Sequence, residues 1–296
     1  MSVGAEVVRE LERRAAEVRL EIVRSMGAGQ FHHFGGSLSA ADLLVALCFW
    51  KLRCRPGEPD WPGRDRLVLS KGHAVPALYV CLAMRGCFPR SELATLKRFG
   101  SRLQGHPDMR KTPGLEANTG SLGMGLSVAN GMALAGRARG MDYRVYALLG
   151  DGECQEGQVW EAAMTAAHYR LETVTAIVDR NELQAMGPTE ERMGVEPLAE
   201  KWRAFGWRTL EVDGHDVGAI CEALEEATRS SPAASAKGER AGGPAAIIAH
   251  TVKGKGVPFM EGRPEFHNAV ISEEQFEEAR RALEKRLACL GGPTGG

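Results

Sequence analysis

The second half of the chain alternates short apolar runs with helical patterns, and this alternation limits the fold more than any other feature. The apolar runs cover residues 143–149, 173–179, 208–212 and 245–251, and helical patterns cover 157–169 and 217–229. Runs that are apolar on both faces predict strands buried on both faces, which is typical of parallel sheets. We therefore expect an α/β fold in which a parallel sheet is covered by helices on both faces.

The first half of the chain predicts helices around this sheet. Helical spacing covers residues 5–26, 39–52, 74–85 and 89–99. Ser39 is expected to cap the second helix, with Asp42 in its first turn. The prediction is one domain over residues 1–296 with an N-terminal helical extension. A Ser-, Ala-, Gly- and Pro-rich stretch at 229–244 predicts a flexible loop, and residues 291–296 predict a frayed tail.

Charge and composition exclude several classes of protein. The 37 basic and 38 acidic residues leave a net charge of -1, without the basic excess that nucleic acid or anionic membranes favour. No apolar run reaches the roughly 20 residues of a membrane span, and the start of the chain has no apolar secretion signal. The seven cysteines form no C-x-x-C pair, which indicates reduced thiols. We therefore expect a cytoplasmic protein without nucleic-acid or membrane partners.

The tripeptide Gly150-Asp151-Gly152 follows the first of these apolar runs directly. In a parallel α/β sheet, ligands bind beyond the carboxyl ends of the strands. The next run delivers Asn181 to its own end, and neighbouring strands lie about 5 Å apart, so both side chains can reach one cation. The side-chain oxygens of Asp151 and Asn181, together with a backbone carbonyl near Leu183, suit Mg²⁺, which takes further ligands from phosphates and water. Taken alone, the tripeptide is also a common surface turn.

The context of this tripeptide resembles a known cofactor signature. The segment 150–187 is similar to the thiamine-diphosphate motif, in which GDG is followed, after a helix and a strand, by Asn. It resembles the diphosphate-binding half of a transketolase. Five further segments resemble that family in order: HFGGSLS at 33–39, LSKGHA at 69–74, GHP at 105–107, GSLG at 120–123 and HTVKGKG at 250–256. The resemblance covers residues 10 to 285.

This resemblance implies thiamine diphosphate and Mg²⁺ as cofactors. The metal ligands that it implies are Asp151, Asn181 and the carbonyl of Leu183. The cofactor-binding residues that it implies are Gly120, Leu122, Gly123, Gly150, Asp151, Gly152, Asn181 and Lys253. Lys253 would place an ammonium near the diphosphate, whereas Lys71 and Lys255 are predicted to be ordinary solvated charges.

The resemblance also implies a catalytic set, which consists of His33, His73, His106, His267 and Glu156. The histidines lie near Gly or Pro breaks, and imidazoles exchange protons near neutral pH. Ketose cleavage needs such groups as base and acid. Each histidine taken alone could equally be a hydrogen-bonded loop residue. The resemblance places Glu156 at a dimer contact that links two active sites, while a glutamate beside a helix end is otherwise a solvated cap.

Four residues depart from the family pattern. Met124 stands where the family usually has Gln, Asn118 where it commonly has Ser, Asn268 where it has Gly, and Phe34 where it has Pro. We expect these positions near cofactor and substrate. The sequence therefore leaves two possibilities for the substrate, the usual pentose phosphate and an unusual acceptor.

Full-length transketolases carry a second domain that binds the aminopyrimidine of the cofactor. Because this chain ends at Gly296, the resemblance implies the N-terminal subunit of a split transketolase. It would pair with a separate C-terminal subunit, as a heterotetramer, and transfer a two-carbon ketol unit from a ketose donor to an aldose or aldehyde acceptor. Alone, it should be inactive.

Two other functions stay open on the sequence. One is a subunit of a decarboxylating enzyme, either the α subunit of a 2-oxoacid dehydrogenase or a synthase of the deoxyxylulose phosphate type. Such α subunits share GDG and Asn but are not expected to have SKGHA and HTVKGKG. The other is a non-catalytic regulatory subunit, against which the intact Asp151 and Asn181 argue.

Overall fold

The computed structural model describes residues 3–55, 57–229 and 243–291. Its strands are β1 (Arg66–Leu69), β2 (Val145–Gly150), β3 (Val174–Arg180), β4 (Leu183–Gln184), β5 (Gly187–Pro188), β6 (Arg208–Asp213) and β7 (Ala245–His250). Five of them form a sheet in the order β1-β2-β3-β7-β6, and every neighbouring pair runs parallel. Strands β4 and β5 form a separate antiparallel pair. The predicted parallel sheet is confirmed.

Helices surround this sheet. They are α1 (Ala5–Met26), α2 (Phe34–Ser39), α3 (Ala41–Ala46), α4 (Val75–Met84), α5 (Met124–Ala138), α6 (Gly157–His168), α7 (Thr189–Arg192), α8 (Leu198–Ala204), α9 (Val217–Thr228) and α10 (Glu273–Cys289). A π-helical turn, Leu47–Lys51, extends α3. Short 3-10 helices lie at Gly72–Ala74, Arg90–Thr95, Gly152–Gln155 and Pro264–His267. No helix in these three stretches of chain is long and apolar enough to cross a membrane.

The central strands β2 and β3 are buried at every position because helices cover both faces of the sheet. Alternate residues enter two cores. Leu148 and Ile177 pack with α1, α3, α4 and α9, while Leu149 and Val178 pack with α5, α6 and α8. Burying each such side chain contributes about 1.5–3 kcal/mol. The runs at 143–149, 173–179 and 245–251 form the central strands β2, β3 and β7, within two residues of their predicted bounds. The run at 208–212 instead forms β6 at an edge of the sheet, where Glu211 and Asp213 are exposed.

The N-terminal half differs from the prediction at two points. The helix predicted at 89–99 is only a short 3-10 helix at Arg90–Thr95, and the predicted helix cap is misplaced. The predicted cap at Ser39 is wrong, because α2 already contains this residue and its hydroxyl donates to Asp179 at 2.6 Å. Asp42 lies in the first turn of α3, as predicted, and its carboxylate pairs with the buried Arg19 of α1. Helix α1 packs against α3, α4 and α10, so it contributes to the same core as the sheet.

Two predictions concern segments that lie largely outside the described residues. Of the loop predicted at 229–244, residues 230–242 are outside, and of the tail predicted at 291–296, residues 292–296 are outside. Both stay predictions.

Candidate active site

Polar residues gather at the carboxyl edge of the sheet. Ser70 follows β1, Asp151 follows β2, Asn181 follows β3 and Thr251 follows β7. These four strands are consecutive neighbours in the sheet and run in the same direction. Their ends therefore meet at the edge where such folds bind ligands.

Asp151 is buried and firmly oriented at this edge. The Gly152 amide donates to its Oδ1 at 2.7 Å, and the Glu182 amide donates to its Oδ2 at 2.6 Å. The Arg180 guanidinium also donates to Oδ2, at 2.9 Å. Burial raises the pKa of Asp151, and the bond from Arg180 opposes that rise. Because Oδ1 accepts only one of these bonds, it keeps a lone pair for a cation.

Asn181 and Leu183 supply two more oxygen atoms. Asn181 is buried, and its Oδ1 accepts from the Leu183 amide at 3.2 Å. The Leu183 carbonyl accepts from Lys253 Nζ at 2.6 Å and keeps a second lone pair. One carboxylate, one amide and one carbonyl fit Mg²⁺, which takes few protein ligands where phosphate and water complete its shell. Within the described ranges no group of three or more His, Cys, Asp or Glu is placed to hold a metal ion.

Lys253 is a buried ammonium beside these oxygens. Besides the Leu183 carbonyl, its Nζ lies 2.9 Å from Nδ1 of His267. Burial, together with the nearby Lys71, lowers the pKa of Lys253 to about 8. A Cβ at Gly35 would lie 2.8 Å from Lys253 Cγ, so glycine there leaves room for the lysine. An incompletely compensated buried cation of this kind suits an anionic ligand.

A buried ion pair lies next to the candidate metal ligands. Lys71 is 1% exposed and Asp179 is 0% exposed, and the two form a short ion pair. The hydroxyls of Ser39 and Thr251 also donate to Asp179. Burial raises the pKa of Asp179, but Lys71 and the two hydroxyls outweigh it and hold the pKa below its usual value. The prediction that Lys71 is a solvated charge is wrong, because its partner comes from a distant strand.

Glu153 was not singled out in the sequence, although it follows Asp151 by only two positions. It is buried and accepts hydrogen bonds from the Gly123 amide at 2.9 Å, the Gly150 amide at 3.0 Å and the Ser70 hydroxyl. Burial raises the pKa of Glu153. This carboxylate ties the ends of β1 and β2 to the loop that begins α5.

The four predicted histidines come together from separate segments. The ring centroid of His33 lies 5.3 Å from that of His73, 5.5 Å from His267 and 6.1 Å from His106. The centroids of His73 and His267 are 5.1 Å apart. Burial lowers the pKa of His33 to about 4 and that of His267 to about 3. It also lowers the pKa of His73 and of His106, so the cluster is neutral at pH 7.

The glycines predicted to contact cofactor shape the loop between these groups. A Cβ at Gly120 would lie 2.8 Å from the His106 ring, and a Cβ at Gly72 would meet the Gly120 amide at 2.8 Å. Gly123 has φ 86°, in the left-handed region that favours glycine. Glu156 is exposed at the start of α6, where a Cβ at Gly123 would meet its Cβ at 2.8 Å. Its predicted role at a subunit contact stays a prediction.

One of the four departures from the family pattern, Phe34, faces the protein interior. Phe34 is fully buried in the core, and the Asn118 side chain accepts from the Met109 amide at 2.8 Å. Met124 and Asn268 are exposed near the predicted cofactor residues. Asn118 is exposed as well, so three of the four departures are accessible to a ligand.

The fold and this edge define a domain that holds an anionic cofactor beside a set of neutral imidazoles. Residues 12–286 match the family model described as "Transketolase, thiamine diphosphate binding domain". The chain therefore belongs to the transketolase family, as its motifs predict, and its activity is that of a transferase subunit.

Relatives of similar length support a split enzyme. The chain is 45% identical over 282 residues to a 6-deoxy-6-sulfo-D-fructose transketolase subunit of Clostridium sp. (strain MSTE9), covering 94% of this chain and 98% of that one. It is 43% identical over 283 residues to an apulose-4-phosphate transketolase subunit of Phocaeicola vulgatus, covering 96% and 97%. The prediction of an N-terminal subunit of a split transketolase is confirmed.

A solved transketolase shares the fold. The crystal structure of the enzyme from Campylobacter jejuni matches with a TM-score of 0.82 and 30% identity, covering 95% of this chain. The chain spans 43% of that transketolase's length.

Proposed function

We propose that this chain is the diphosphate-binding subunit of a two-component transketolase. The enzyme transfers a two-carbon ketol unit from a ketose donor to an aldose or aldehyde acceptor. The observation that carries this proposal is the set of oxygens from Asp151, Asn181 and Leu183 beside the cluster of four histidines. The substrates are sugars with a terminal anion, since two relatives are named for a phosphorylated and a sulfonated sugar.

The chain's part in cofactor binding follows from its oxygens and its buried ammonium. Asp151, Asn181 and Leu183 would hold Mg²⁺, and Lys253 would face the diphosphate. Bound thiamine diphosphate supplies the nucleophile and the electron sink for carbon–carbon cleavage. Glu153 accepts a hydrogen bond from the Gly123 amide and so holds the Gly123 loop in place at the proposed cofactor site.

The histidines divide the proton transfers between them. Burial and neighbouring charges lower the pKa of all four, which keeps them unprotonated and able to accept a substrate hydroxyl proton. His106 is the most exposed of the four, so it exchanges protons with solvent and suits the return of a proton to the product oxygen.

The second component is a separate subunit with the pyrimidine-binding domain, in a cytoplasmic heterotetramer. Large apolar side chains stand exposed near the site, among them Phe31, Leu122, Met124 and Val270. Exposed apolar groups that border a polar site favour contact with another protein. Glu156 lies beside them and would join that contact. The seven free cysteines are consistent with a reducing compartment.

The test is reconstitution with the partner subunit. We expect ketol transfer that requires both chains, thiamine diphosphate and Mg²⁺, and no activity from this chain alone. Asp151→Asn should reduce transfer by at least about a hundredfold, because it removes the carboxylate ligand. Asp142→Asn, an exposed surface change, is the matched control.

Three outcomes would contradict the proposal. They are full activity of Asp151→Asn, the absence of cofactor-dependent transfer in the assembled pair, and release of carbon dioxide from pyruvate. The last would favour the decarboxylating class.

A further inference from the structure

Three segments of the chain meet at His215, next to the loop that carries Lys253. The His215 side chain is largely buried, with 13% of it exposed. Its Nδ1 lies 2.7 Å from Asp42 Oδ2, and its Nε2 accepts a hydrogen bond from the Val252 amide at 2.8 Å. His215 therefore joins the first turn of α3 to the residue that directly precedes Lys253.

The charge of Asp42 fixes where the proton of the His215 ring lies. Burial raises the pKa of Asp42, but Arg19 and the bond with His215 outweigh it and lower the pKa to about 2. The carboxylate is therefore ionised at pH 7 and only accepts, so His215 Nδ1 carries the proton and donates. Nε2 then keeps a lone pair, which accepts the Val252 amide proton. The ring is neutral, in a single tautomer.

Asp42 is a firm support for this ring because Arg19 holds both of its oxygens. Arg19 Nη1 donates to Oδ1 at 3.0 Å, and Nη2 forms a short ion pair with Oδ2. Both side chains are less than a tenth exposed. Bidentate pairs of this kind fix direction as well as distance. The packing of α1 against α3 therefore determines where the His215 ring lies.

The backbone around Lys253 is held on both sides of the lysine. On one side the Val252 amide donates to His215, and on the other the Gly254 amide donates to the Gly35 carbonyl at 3.1 Å. Between these two bonds, Lys253 extends its ammonium to a carbonyl of the candidate metal site. Loss of the bond to His215 would free one side of this segment and allow the ammonium to move.

We propose that His215 is a positioning residue for cofactor binding, which acts through the Val252 amide to place the Lys253 ammonium against the diphosphate. Groups that orient a ligand-binding residue without touching the ligand commonly change its affinity ten- to hundredfold. The inference rests on the proposed function and extends the cofactor site to a residue that acts through the backbone.

The test uses two substitutions that each keep one half of the imidazole. His215→Gln places an amide oxygen near the position of Nε2 and keeps an acceptor for Val252, whereas His215→Asn keeps only a donor near Nδ1, toward Asp42. We expect the affinity of the assembled pair for thiamine diphosphate, measured by titration calorimetry with Mg²⁺ present, to weaken about tenfold in His215→Asn. In His215→Gln it should weaken by less than about threefold. A merely structural role would give equal losses, since each variant loses one hydrogen bond.

A direct measurement of the loop accompanies the affinities. Amide hydrogen exchange of residues 251–256, followed by mass spectrometry, should be faster in His215→Asn and nearly unchanged in His215→Gln. His215→Ala, which removes both halves of the ring, should match His215→Asn in affinity and in exchange, so the comparison does not depend on one variant. His168→Asn, an exposed histidine at the end of α6, is the matched control and should change neither quantity.

A third comparison tests the route through the lysine. In a Lys253→Met background, His215→Asn should weaken cofactor binding by less than about twofold further, because its effect depends on the ammonium. Equal losses in His215→Asn and His215→Gln, unchanged exchange in His215→Asn, or full additivity with Lys253→Met would overturn the inference. Absence of thiamine diphosphate binding by the unsubstituted pair would instead contradict the proposed function.

Discussion

At the scale of single residues, the ion pair of Lys71 and Asp179 shows how this edge combines stability and function. Both charges are removed from water, so each depends on the other and on the Ser39 and Thr251 hydroxyls. Asp179→Asn leaves an uncompensated buried ammonium. We expect it to lower the free energy of unfolding by about 3–5 kcal/mol, measured by urea denaturation.

The control for this prediction is the surface pair of Arg24 and Glu284, whose side chains are both partly exposed. Glu284→Gln should leave the denaturation midpoint almost unchanged, since exposed pairs contribute little. A second variant tests the mechanism. Lys71→Met/Asp179→Leu removes both charges and should be less destabilising than Asp179→Asn. If the double change costs more than the single one, the ion pair is not the source of the loss.

At the scale of elements, the loop before α5 depends on Gly123. Its φ of 86° strains any other residue, and a Cβ would meet the Glu156 Cβ at 2.8 Å. We expect Gly123→Ala to destabilise the protein by about 1–3 kcal/mol, measured by thermal unfolding. Gly131→Ala, in the middle of α5 with nothing within 4 Å of the new Cβ, should instead be neutral or stabilising by up to about 1 kcal/mol. Equal effects of the two changes would refute this account.

Most sheet elements could be predicted from local pattern, and the exceptions have physical causes. Strands β2 and β3 were predictable because burial on both faces makes most of their positions apolar. Strand β1 was missed since it has only four residues, and α10 was missed since only Ala279 and Leu283 of its residues are buried.

The site, too, could be predicted only as far as local sequence pattern reveals it. The position of Asp151 and Asn181 at the carboxyl edge was predictable because each directly follows a strand that its own sequence pattern predicts. The sequence assigned the wrong role to Ser39 and missed Arg180 and Glu153. Their hydrogen bonds are to residues far away in the chain, or to backbone amides, and a local pattern does not reveal such partners. Ser39 and Asp179, for example, are 140 positions apart, and only the fold brings them together.

At the scale of the whole molecule, the carboxyl edge is polar at its centre and apolar at its margin. The oxygens, Lys253 and the histidines lie inward, while Leu122 is 36% exposed and Met124 is 47% exposed on the loop that leads into α5. The chain also spans 43% of the length of a solved transketolase. An edge of this composition is suited to being covered by a second protein, which would exclude water from the histidines.

This leads to a prediction about assembly. Met124→Asp places a charge in the apolar margin, and we expect it to weaken association with the partner subunit by at least about tenfold, measured by analytical ultracentrifugation. The isolated chain should keep its thermal midpoint, because the side chain is exposed. Tyr169→Asp is the matched control: this residue is 52% exposed just after the end of α6, at the opposite edge of the sheet. If both changes weaken assembly equally, or neither does, the partner does not cover the carboxyl edge.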